Sequence, residues 1–117
     1  MDNKGDRFLW QCKINYFKGI TPSNPIYFHD SEYIALVNIG IEYFNNEQLE
    51  EFSYFFRESQ YFIPLWTAHI ILEYGNPGKK MEKECIDIIK EYSEHPVNSK
   101  ISSEEQTWLK LNHIENK

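Results

Sequence analysis

A chain of 117 residues and 14.1 kDa, 41% of them hydrophobic and nineteen aromatic, is sized for one core in a single domain spanning 1–117; this composition excludes a disordered chain. No apolar run approaches the ~20 residues that a bilayer-spanning helix needs, so no membrane partner is expected. The formal net charge of −6 is concentrated in residues 19–78, where eight acids face Arg57 alone and thirteen of the nineteen rings also lie, a pattern that disfavours nucleic acid and favours basic protein partners.

In residues 7–18, Phe8, Trp10, Cys12, Ile14 and Tyr16 alternate as in a strand. Trp10, Ile14 and Phe17 also fall at helical spacing with Gly19 placed as a stop, and helix is the expectation because everything downstream is helical. Pro22-Ser23-Asn24-Pro25 breaks the chain, since two prolines in four residues remove backbone donors and fix φ. Asp30 or Ser31 then caps a helix over 32–44. Ile34, Val37, Ile41 and Phe44 line one side of it, Tyr33, Leu36 and Ile39 widen the apolar surface, and Ala35, Asn38 and Glu42 leave a narrow polar wedge. Such a helix is expected to be central. Asn45 and Gln48 resemble a capping box for the next helix, over 47–58.

At 100° per residue that helix gathers Leu49, Phe52, Phe55 and Phe56 on one arc and Glu47, Glu50, Glu51 and Glu58 on the other, with Tyr54 among the acids. Four like charges one turn apart repel by a few tenths of a kcal/mol per pair, and only Arg57 relieves them. The acid face around Tyr54 is therefore a candidate docking surface, set against a plain solvated face. A helix over 61–74 follows, with Pro64 in its first turn and Gly75 as its stop. Tyr61, Leu65, Ala68 and Leu72 form one stripe; Phe62, Trp66, His69 and Glu73 form a second. If the helix is covered on one side the second stripe is an exposed binding ridge, and if it is sandwiched Phe62 and Trp66 are core. Asn76-Pro77-Gly78 turns into a helix over 79–92 with Met81, Cys85, Ile88, Ile89 and Tyr92 inward. Ser102 and Glu105 read as the capping box of a last helix carrying Trp108, Leu109 and Leu111, with the tail after His113 expected to fray.

Enzymatic signals are missing. The five glycines are scattered, the histidines show no HxxxH spacing, and Cys12 and Cys85 fit no metal or redox pattern, so no enzyme activity and no cofactor are expected. His69 with Glu73 is the nearest approach to a ligand pair, and the longest basic stretch is Lys79-Lys80 with Lys83 nearby, too little for direct nucleic-acid binding. The N-terminus lacks the basic-then-apolar pattern of a secretory signal, and two free thiols suit the cytoplasm.

The fold expected is all-α: five or six short antiparallel helices in helical hairpins, as a bundle or a short solenoid. Residues 61–92, with Pro64, Ala68 and Leu72 on one helix and Cys85, Ile88 and Ile89 on the next, resemble a HEAT-type repeat. They lack that pattern's acidic turn residue and its Val-Arg pair. In size, acidity and ring content the whole chain is similar to the immunity proteins that protect bacteria from contact-dependent or other polymorphic toxins. That resemblance implies a cytoplasmic, monomeric or homodimeric inhibitor that binds a cognate toxin domain, a basic nuclease being the expected kind, and occludes its active site or an adjacent surface. Glu47, Glu50, Glu51, Tyr54 and Glu58, with Phe62, Trp66, His69 and Glu73, are the candidate contacts. A helical adaptor or scaffold module binding a cellular protein is the alternative.

Overall fold

The computed structural model describes residues 3–114, and among them the regular structure is entirely helical. Six α-helices occur: α1 (Lys4–Phe17), α2 (Ser31–Asn45), α3 (Leu49–Ser53), α4 (Ile63–Ile70), α5 (Lys79–Ser93) and α6 (Ser99–Leu111). Short 3₁₀ turns cover Pro25–Tyr27 and Tyr54–Arg57, and α4 continues as a π turn over Ile71–Gly75. The segment 7–18 is thus helix, not strand, up to Phe17, with Lys18 as its C-cap.

Side-chain caps start three of the four longer helices, α5 being preceded by Gly78 instead. Asn3 accepts from the amides of Gly5 and Asp6, Asp30 from that of Glu32, and Asn98 from that of Ile101. Gly19, at φ +74°, ends α1 in a Schellman arrangement in which Ile20 N–H reaches the Asn15 carbonyl and Gly19 N–H that of Tyr16. His113 takes the same left-handed position after α6, at φ +58°. Of the tail after His113 that is expected to fray, residues 115–117 lie outside the described residues.

The core is organised around α4, all eight residues of which are buried, because α1, α2, α3 and α5 each pack on it. Leu65, Trp66, Ile71, Phe8, Leu36 and Ile89 are its fully buried centre. Phe52 joins α3 to that centre through ring contacts with Phe8 at 4.9 Å and Tyr43 at 5.1 Å. On α1 the buried face is Phe8, Cys12 and Asn15, whereas Trp10 and Phe17, from the other helical stripe, are 62% and 70% exposed. Asn15 is tolerated inside because Gln11 donates to its Oδ1 at 2.9 Å and its amide donates to the Glu32 carbonyl at 3.2 Å. The Glu32 carboxylate holds Lys18 and Gln11, and those hydrogen bonds, Lys18's first, lower its pKa.

Several local expectations give way. Asn45 and Gln48 form no capping box: Asn45 ends α2, Glu47 turns left-handed at φ +56°, and Gln48 instead accepts from Lys4 Nζ at 2.6 Å. The Ser102–Glu105 box is absent too, because α6 begins four residues earlier, capped by Asn98. Tyr61 and Phe62 do not begin a helix; both are left-handed, at φ +53° and +57°.

The close approach of α2 to α4 depends on Gly40. A β-carbon there would lie 2.4 Å from Ile70 Cγ2 and 3.4 Å from Phe52 Cζ. Gly40→Ala is expected to destabilise by about 1–3 kcal/mol through overpacking, outweighing the ~1 kcal/mol helix-propensity gain of alanine. Urea denaturation checks this, and a stabilised variant would show that the two helices do not meet there.

Candidate protein-binding surface

The acid segment is shorter and less regular than an unbroken helix would make it. Because α3 gives way to a 3₁₀ turn at Tyr54, the carboxylates do not share one helical arc. Glu47 precedes α3, Glu50 and Glu51 project from it, and Glu58 follows the 3₁₀ turn in extended backbone. All four glutamates are nonetheless exposed, and Tyr54 between them is 53% exposed, while Phe52 is buried and Phe55 and Phe56 are half-buried. Arg57 lies 5.5 Å from the centre of the Tyr54 ring. Glu50, Tyr54 and Arg57 line an open depression of about 570 Å³ shared with Lys80 and Glu84 of α5; Glu47, Glu51 and Glu58 stand outside it. Among the described residues none of the four glutamates enters an ion pair, in contrast to Glu42, which meets Arg7 at 3.1 Å.

The second stripe separates. Phe62 is half-buried against Tyr16 at 5.1 Å and Tyr92 at 6.0 Å. Trp66 is wholly buried and His69 is 8% exposed, so the exposed ridge is replaced by the sandwiched arrangement: α4 is covered on too many sides to present one. Trp66, His69 and the exposed Glu73 do come together, as part of the lining of a cleft of about 350 Å³.

Beneath that cleft lies a polar cluster whose partners are far apart in sequence. Glu105 is fully buried; its Oε1 lies 2.5 Å from His69 Nε2 and its Oε2 accepts from Ser23 Oγ at 2.5 Å. Because the carboxylate sits between serine and histidine, Ser23 gives its hydrogen to Glu105 and not to His69, so the three are not arranged as a nucleophile, base and orienting acid. Their geometry ties the proline loop to α6 and α4. Asn24 donates to Glu104 at 2.7 Å, Lys100 to the Gly19 carbonyl at 3.0 Å, and Tyr33 to the Pro22 carbonyl at 2.9 Å, completing the strap. One signal for Glu105 was available: Ile101, Glu105 and Leu109 recur every four residues, which puts the acid in the middle of an apolar stripe.

The thiols are buried as well. Burial pushes the Cys12 pKa up, and burial followed by Glu84 and Glu82 pushes that of Cys85 to about 12, which keeps both protonated and poor as nucleophiles. No three His, Cys, Asp or Glu side chains converge among the described residues, and no helix is long and apolar enough to cross a membrane.

No family model, curated protein or solved structure matches the chain.

One further ring surface escaped the periodicity reading. Tyr16, Phe17, Tyr61 and Phe62 make edge and tilted contacts at 5.1–5.9 Å, and Lys13 Nζ lies 5.5 Å from the Trp10 ring and 5.9 Å from that of Tyr61. Two consecutive left-handed non-glycine residues, each costing of order 1–3 kcal/mol, bring Tyr61 and Phe62 to this side of α1.

Proposed function

We propose that this chain is an immunity protein: a non-catalytic, cytoplasmic inhibitor that binds a basic toxin domain, of the nuclease kind, and covers its active site or a surface beside it. The observation that supports this reading best is the exposed group of Glu47, Glu50, Glu51 and Glu58 around exposed Tyr54, with no ion pair among the described residues to neutralise the acids. Exposed carboxylates outside ion pairs accelerate the approach of a cationic partner, and a tyrosine in their midst supplies the apolar anchor that slows its departure.

Co-expression with candidate toxin domains is the direct test, with restored growth as the expected result; no rescue by the wild type against any basic toxin domain would favour the adaptor alternative. With a rescued toxin in hand, Glu50→Lys with Glu51→Lys is expected to slow association roughly fivefold at low salt, an effect that fades as salt rises, whereas Tyr54→Ala acts mainly on dissociation. Stopped-flow mixing at two ionic strengths separates the two, and unchanged kinetics in the double reversal would remove this segment from the interface.

A further inference from the structure

The 350 Å³ cleft between the proline loop, α2, the α4 π turn and α6 has a composition that suits one class of ligand. Its size is within the range of small-molecule sites. Phe28, Tyr33, Trp66, Tyr74 and Trp108 contribute five rings to the lining. The charge-bearing side chains there are Glu73, exposed, and His69, which is occupied by Glu105; no lysine or arginine is among them. Ring faces carry negative potential, and with an unpaired carboxylate beside them they attract a cation whose own shell is apolar or planar. The π turn adds a second, independent indication. It departs from α-helical winding at Ile71–Gly75, the stretch that delivers both Glu73 and Tyr74 to the cleft, and single π turns recur at functional sites.

We propose that this cleft binds an organic cation, an alkylammonium or guanidinium group held among the rings of Tyr33, Tyr74 and Trp108 with Glu73 as its counter-charge. The local field has the required sign: the Tyr33 hydroxyl is held protonated well above its ordinary range, first by burial and, among its charged neighbours, by the Glu73 and Glu105 carboxylates. Tyr33 is also fixed in place, by its hydrogen bond to the Pro22 carbonyl and its edge contact with Trp66 at 5.3 Å, so the box is preorganised.

The test uses the full chain labelled with ¹⁵N at its indoles. Choline is titrated against 3,3-dimethylbutan-1-ol, which has the same shape without the charge, and N-acetyl-arginine methylamide against its citrulline counterpart. A saturable shift of the Trp108 indole signal is expected with the cations, at least about tenfold weaker with each neutral analogue, while the indole of Trp10, outside the cleft, stays put. Glu73→Gln, a change at an exposed position, is expected to weaken the cation response about fivefold and leave the unfolding midpoint where it was. Tighter binding of choline identifies a small ammonium ligand; tighter binding of the arginine derivative identifies a side chain presented by another protein. Equal response to cation and neutral analogue, an unchanged Glu73→Gln variant, or no saturable response at millimolar concentrations overturns the proposal. Cation binding is independent of the Glu50–Tyr54 surface, so a failed growth rescue leaves it standing, and its own failure leaves the toxin reading intact.

Discussion

Glu105→Ala is expected to lower the stability of the fold by about 2–6 kcal/mol, the cost of leaving two buried hydrogen-bonding groups without their partner. The carboxylate has no solvent contact, and truncation would strand both the His69 ring nitrogen and the Ser23 hydroxyl, which meet it at 2.5 Å. A chain of this length is expected to hold roughly 6–18 kcal/mol in total, so the loss would be a large share of it. In urea it corresponds to a midpoint lower by about 2 M. Glu105→Gln keeps the volume and offers one acceptor and one donor, so it is expected to recover about half of the loss. If Gln and Ala were equally damaging, the negative charge itself would be what α4 and the proline loop require; if neither destabilised, the cluster would not be holding α6 to the rest of the core.

The residues that were legible in the sequence are those whose signals are short-range. Asp30 caps α2, Gly19 stops α1, and Cys85 and Ile89 face inward from α5, each set by neighbours within one or two helical turns. What could not be read is of two physical kinds. Periodicity finds a stripe but does not say what covers it: Trp10 and Phe17 satisfy helical spacing as well as Phe8 and Cys12 do, and only packing against α2 and α4 decides between them. A projection at 100° per residue also assumes uniform α-helix. It therefore overextended the acid arc past Ser53, where the chain tightens to 3₁₀, and it had no means of seeing the left-handed pair Tyr61-Phe62 or the π turn. Glu105 combines both difficulties, because a plausible local role as a capping residue concealed partners 36 and 82 residues away.

Gly75 shows how a correctly placed residue can act for a different reason. Its position suits a helix stop, but the left-handed residue there is Asn76, at φ +48°. A β-carbon on Gly75 would lie 3.2 Å from both Leu49 Cδ1 and Phe44 Cζ, so its smallness serves the contact of the π turn with α2 and α3. The same stretch carries Glu73 and Tyr74, which links the cleft's geometry to the packing of the acid segment's own helix.

Trp66→Ala is expected to cost about 3–5 kcal/mol, comparable to the loss of Glu105 but by a different mechanism. Trp66 is the largest fully buried side chain, in the middle of the helix on which four others pack, so truncation vacates a large volume in a closely packed interior. Its indole Nε1 is buried with no hydrogen-bond partner among the described residues. An orphaned donor of this kind costs about 1–3 kcal/mol, so Trp66→Phe, which deletes the donor together with part of the ring, is expected to destabilise by well under half as much as alanine. Denaturation of the two variants separates volume from polarity: equal losses would mean that the N–H is satisfied in solution.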